Sequence, residues 1–427
     1  MPHIAIDRHQ LHNGLRITLS HDNRSPIVAV NLRYAVGSGH EKPGKTGFAH
    51  LFEHLMFQGS EHVAKGEHFS LVEACGGKAN ATTSWDRTNY FERLPSHELE
   101  LALWLESDRL AALIPAMTQD KLDNQREVVK NERRLGVDNQ PYGSWDERLQ
   151  TLLFPEGHPY QHPILGSMED LNRASLTDVR EFFAAHYAPN NAVLTIAGDF
   201  DPPAALALVE KHFGPIPANP AIPRAPSIAI EATFGAGMRE IVLDRVPLPR
   251  LYIACRTPAF GSADFEALEV AMDLLGTGRA SRLYRALVRE QQLAQDVSTF
   301  AFPEIGGAAV FASSVTARSE VGHEVLETAM WTEVDRLTAQ GPTDDELECV
   351  RNLHAAGVES SLQRVGERAD RLSMYACLFD EPERINKEVS RYVSVDAARV
   401  REALAVSLRP DNRVVLIYLP VEHPDGA

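Results

Sequence analysis

A chain of 427 residues is long enough for two or three domains at roughly 150 residues each. With 44% hydrophobic and 24% charged residues it can bury a sizeable core, which excludes global disorder. Its 42 Lys and Arg stand against 59 Asp and Glu, and the resulting charge of −17 argues against nucleic acid or an anionic membrane as a partner. No apolar run approaches the roughly 18 residues needed to cross a bilayer. The start, Met1-Pro2-His3-Ile4, shows no basic segment followed by an apolar one. A cytoplasmic location is therefore expected, with a periplasmic one as the alternative if a leader was removed. Cys75, Cys255, Cys349 and Cys377 form no CxxC pair, so neither a disulfide framework nor a cysteine zinc site is expected.

In chain order, residues 15–19 and 27–34 read as strands, with β-branched residues and partial alternation. A helix follows, then a turn at Gly76-Gly77 and a strand-like run over 78–91. Helical patterns occupy 98–135 and 177–186, and 191–198 reads as a compact buried strand. Pro215, Pro217, Pro220, Pro223 and Pro226 mark a linker over 214–237. Gly276-Thr277-Gly278 reads as a turn. His62, His68, His158 and His162 read mostly as loop or surface residues, and Trp85 and Trp145 as packing residues.

The two sides of the linker look alike. Residues 188–196 resemble 409–417, and 27–38 resemble 250–262; each stretch of the second pair ends in Gly-Ser. The near-constant spacing predicts an internal duplication. The expected fold class is α+β: two homologous halves, 1–213 and 238–427, each a mixed, largely antiparallel sheet with helices packed on it.

The window 48–57, Phe-Ala-His-Leu-Phe-Glu-His-Leu-Met-Phe, is apolar except for His50, Glu53 and His54. At about 100° per residue these fall at about 0°, 300° and 40°, on one narrow helix face. Two imidazoles one turn apart can grip a metal ion, and the carboxylate between them can take a proton from an activated water. With 17 His in 427 residues, the H-x-x-E-H pattern arises by chance about 0.05 times per chain. The alternative is a satisfied histidine pair, which would leave three buried polar groups in need of partners.

Two histidines leave a ligand to be found. On a helix around 121–135, with Leu122 at about 0°, Val128, Val129 and Leu135 lie at about 240°, 340° and 220°. Glu132 at about 280° falls inside that apolar arc, whereas Glu127 at about 140° falls opposite. A glutamate in an apolar stripe needs a cation, so Glu132 is the candidate ligand. A salt bridge to Lys121, at about 260°, is the competing explanation.

His50-Leu-Phe-Glu53-His54, with Glu132 in Arg126-Glu-Val-Val-Lys-Asn-Glu132, closely resembles the pitrilysin/insulinase family of zinc metallopeptidases. Gly76-Gly-Lys-Ala-Asn80-Ala81-Thr82-Thr83 and Thr88-Asn-Tyr90-Phe are similar as well. The resemblance is to small, single-unit bacterial members akin to the mitochondrial processing peptidase subunits. It implies one zinc per chain, held by His50, His54 and Glu132, with Glu53 as general base. It implies two homologous α+β halves, only the first with the metal motif, and two chains closing around a chamber for extended peptides. The strand carrying Ala79, Asn80, Ala81 and Thr82 would then pair with the substrate main chain.

Two departures stand out. Where many relatives have a second glutamate, seven residues before the ligand, this chain has Gln125, expected beside Glu132 as an outer partner. Where self-sufficient relatives place an arginine and a tyrosine in the second half, it has Val288 and Gln295, with Arg289 one place off. The expected function is a zinc endopeptidase subunit that works with a homologous chain bearing the Arg/Tyr pair, a homodimer being the alternative. A non-catalytic core or scaffold subunit is the reading from a different class.

Overall fold

The computed structural model describes residues 3–223, 230, 237–306 and 308–421. Residues 224–229 and 231–236 of the expected linker lie outside the described residues.

The first compact unit is built on a six-stranded sheet: β1 (Asp7–Gln10), β2 (Arg16–His21), β3 (Ile27–Tyr34), β4 (Lys78–Thr83), β5 (Thr88–Pro95) and β6 (Ala192–Gly198), in the order β1-β2-β6-β3-β5-β4. Only β2 and β6 run parallel. The buried runs of β3 and β6 place them centrally, while the half-exposed β4 forms an edge. The expected run over 78–91 is a hairpin, broken at 84–87. The expected helix over 98–135 is two helices, Leu99–Ala116 and Gln119–Arg133, separated just after Pro115.

Alternation along β3 divides its contacts. Val28, Val30, Leu32 and Tyr34 join a core with Phe52, Leu55, Leu103, Leu113 and Phe183 from the helices on one face. Ala29 faces the other side with Ala197 of β6, and these small residues let Ala369 of helix Val365–Phe379 pack closely. On that face Arg33 pairs with Asp370 at 2.6 Å.

The second unit holds β7 (Met238–Asp244), β8 (Arg250–Pro258), β9 (Ala294–Phe302), β10 (Ala308–Ala317) and β11 (Val414–Pro420), in the order β7-β11-β8-β10-β9. Here β7 and β11 are the parallel pair. Without β1, the first sheet has the same order and the same single parallel pairing, so the α+β class and the two similar halves are observed. Helix Trp145–Leu153 packs on β8 and β11, with Trp145 stacked flat on Tyr252 at 5.0 Å.

Neither unit is contiguous in sequence. The first comprises 1–131, 163–226 and 357–388, and the second 132–162, 227–356 and 389–427. Compactness therefore does not follow a cut at 213 and 238. Each sheet is covered on one face by a helix from the other half of the chain.

Candidate metal centre

The helix Phe48–Leu55 starts at Gly47, whose φ of 87° suits glycine. A Cβ at this position would come within 2.6 Å of the Leu165 carbonyl oxygen. Gly47 offers no capping side chain, and Glu41 supplies one from outside the helix. Its Oε2 accepts from the Gly47 N–H at 2.8 Å and its Oε1 from the Ala49 N–H at 2.7 Å. Burial pushes the Glu41 carboxyl well above its usual range, and the two amide bonds act against that rise.

Leu51, Phe52 and Leu55 anchor the helix in the core. The rings of His50 and His54 lie 4.8 Å apart, centre to centre. Glu132, on the last turn of helix Gln119–Arg133, completes a group whose three donor atoms all lie within 4.8 Å of one another. The division between the compact units falls within this continuous helix, and Leu122 and Val129 anchor it in the first unit's core. Two imidazoles and a carboxylate are donors that zinc takes, and atoms this close could converge on one ion.

The surroundings of Glu132 differ from the expected apolar arc. Val128 and Leu135, counted as part of an apolar arc, are 40% and 66% exposed, and Glu132 is itself exposed. The buried side of the helix is only Leu122, Gln125 and Val129. Phasing separates Glu132 from Glu127, but no apolar stripe surrounds it. Lys121, the competing partner, donates to the Ala116 carbonyl at 2.8 Å, and Glu127 pairs with Lys130 at 2.7 Å. Gln125 is buried, and its side-chain hydrogen bond goes to Asn124 at 3.0 Å rather than to His50, His54 or Glu132.

Glu53 lies on the same helix face, with Oε2 3.7 Å from His50 Nδ1. The Thr83 hydroxyl, at the end of β4, donates to the same oxygen at 2.6 Å. Burial raises the Glu53 carboxyl, but the neighbouring His50 ring and the hydrogen bond from Thr83 outweigh it and hold the group below its ordinary value. Ala79, Ala81 and Thr83 face the helices; Lys78, Asn80 and Thr82 face the other side of the sheet. Thr83 lies one place beyond the expected substrate-pairing residues Ala79 to Thr82, and period-two alternation from Ala81 puts it on the Glu53 side.

A second acidic group is fully internal. His68 Nε2 lies 3.2 Å from Glu92 Oε1, and Glu106 is beside them. Arg109 forks onto Glu106, with Nε 2.9 Å from Oε2, and stacks over Tyr90. The guanidinium supplies the cation that these carboxylates need, so the group is an ion-pair cluster. His68 and His158, expected mostly at the surface, are both buried.

In the second unit Val288 packs in the core, whereas Gln295 and Arg289 are exposed. Among the described residues no helix is long and apolar enough to cross a membrane.

The helix carrying His50, Glu53 and His54 and the two similar sheets point to a class. The insulinase family, peptidase family M16, matches residues 16–155, and the peptidase M16 inactive domain matches 173–353. The chain belongs to this family. It is similar to the zinc protease PqqE of Helicobacter pylori, at 29% identity over 368 residues, covering 86% of this chain and 82% of the relative. The crystal structure of a protease from Helicobacter pylori superposes with a TM-score of 0.92 at 25% identity, covering 98% of this chain and 100% of that one. Pitrilysin gives a TM-score of 0.78 at 19% identity; 99% of this chain matches 46% of pitrilysin, a likeness of fold.

Proposed function

We propose that this chain is the zinc-bearing subunit of an endopeptidase that cuts extended peptides. The observation that carries this reading is the convergence of His50, His54 and Glu132 within 4.8 Å, with Glu53 on the same helix face. Zinc held there would polarise the scissile carbonyl and acidify a water. Glu53, on the same helix face, would serve as the base that takes a proton from the attacking water and returns it to the leaving amine. Thr83 orients the Glu53 carboxylate, and the open edge of β4 aligns the peptide by main-chain hydrogen bonds through Ala79, Asn80, Ala81 and Thr82. Val288 and Gln295 leave the chain without the arginine and tyrosine of self-sufficient relatives. The proposal therefore includes a homologous partner that supplies substrate-clamping donors in a shared chamber.

The experiment is metal analysis with peptide-cleavage assays of the zinc-loaded chain, alone and titrated with the co-purifying homologue. One zinc per chain is expected, with turnover rising by about 10²–10³ on addition of the partner. Glu53→Gln should retain zinc and lose at least about a hundredfold in rate. The scaffold reading is favoured by Val288 and Gln295, and it predicts no stoichiometric zinc and no cleavage under any of these conditions. The inactive-domain match covers 173–353, a range that contains none of His50, Glu53, His54 and Glu132.

A further inference from the structure

The face of β4 turned away from the metal helix borders a groove of about 610 Å³ between the sheet and helix Val365–Phe379. Lys78 of β4 and Arg93 of β5 line it and are direct cross-strand partners, both exposed. Like charges directly opposite one another in a sheet are destabilising unless an anion lies between them. The acids lining the groove are already committed, Glu92 to His68 and Arg109. Asp370 accepts from Arg33 at 2.6 Å and from Asn89 at 3.1 Å, and Glu367 pairs with Arg364 at 3.3 Å. Among the described residues, neither Lys78 nor Arg93 has an ion-pair partner. In a chain of charge −17, this leaves two uncompensated cations beside an open strand edge.

Side chains alternate along any strand added to that edge. Those facing the helices would meet Thr83 and Glu53, and the others would meet this groove. Lys78 is five positions from Thr83, about 17 Å along an extended chain. We propose that the groove selects an acidic side chain of the bound peptide, about five residues from the scissile bond. The inference rests on the peptidase reading and adds a substrate preference to it.

The test measures binding by fluorescence anisotropy to zinc-loaded Glu53→Gln, with the homologous partner present. The extended peptides carry a single Glu, Gln or Lys moved through each position. Glu should bind about tenfold more tightly than Lys at one position and its immediate neighbours, and the preference should shrink in about 0.5 M salt. It should disappear in a chain that also carries Lys78→Gln and Arg93→Gln. Both side chains are exposed, and circular dichroism and zinc content verify that this chain is folded. Peptide binding with no Glu-over-Lys preference, or a preference that survives the double substitution, overturns the groove assignment and leaves the peptidase reading intact. Failure of every peptide to bind overturns both.

Discussion

The Thr83 hydroxyl donates to Glu53 Oε2 at 2.6 Å, tying the end of the edge strand to the carboxylate between the two histidines. One bond thus links the element proposed to align the peptide with the group proposed to move the proton. Thr83→Val keeps the shape and removes the donor. Its kcat should fall about tenfold with zinc content unchanged, and Thr83→Ser should restore most of the rate. Equal kcat in the valine variant and the parent would show that Glu53 needs no such tether.

Glu132 and Glu127 share a helix but face different surroundings. Glu127 is paired with Lys130, whereas Glu132 meets His50 and His54. Glu132→Gln should weaken zinc binding more than about a hundredfold, beyond the effect of losing an outer partner. Glu127→Gln should change it less than about twofold. Competition with a chromogenic chelator measures both, and similar losses in the two variants would remove Glu132 from the ligand set.

The HxxEH helix was legible because its three polar residues interrupt an otherwise apolar window. The paired sheets were legible because the repeated strand-and-turn sequences survive the duplication. The phasing that singled out Glu132 assumed an apolar arc through Val128 and Leu135, and both are exposed. Periodicity assumes that every apolar residue is buried, and a helix held mainly by Leu122 and Val129 breaks that assumption. The crossing of Trp145–Leu153 and Val365–Phe379 to the sheet of the other half left no local trace, because partners such as Arg33 for Asp370 and Tyr252 for Trp145 lie more than a hundred positions away in the sequence. The buried state of His68 depends on Glu92, Glu106 and Arg109, and no local pattern around position 68 reveals them.

Glu41 caps the helix that carries His50 and His54 from a loop, where Gly47 can cap nothing itself. Glu41→Ala would leave two N–H groups without their acceptor at the end of the helix that carries His50. A loss of about 1–3 kcal/mol in the urea stability of the metal-free chain is expected. Zinc affinity should fall with it, as the helix start loosens. Glu41→Gln keeps an acceptor oxygen and should lose less. A metal-free Glu41→Ala chain as stable as the parent would mean that the cap is dispensable.

His68 should make the fold acid-sensitive without touching the metal site. It is buried against Glu92, Glu106 and Arg109, and burial together with the Arg109 charge pulls its pKa from 6.5 down to about 3. The unfolded chain therefore takes up a proton as pH falls through 6.5, while the folded chain stays neutral at this ring. Stability from this source is complete above about pH 6.5 and is lost progressively between there and about pH 3. At about 1.4 kcal/mol per pH unit, going from pH 7 to pH 5 should cost about 2 kcal/mol. His68→Gln can still donate to Glu92 and has no proton to gain. Its urea stability at pH 7 should be lower, from altered packing against Phe57, but its loss between pH 7 and pH 5 should be smaller than the parent's by about 2 kcal/mol. The comparison is best made on the metal-free chain, so that protonation of His50 and His54 does not enter as zinc release. Parallel pH profiles for parent and variant would show that His68 titrates normally, and that the Glu92 and Glu106 carboxylates hold it charged in the fold.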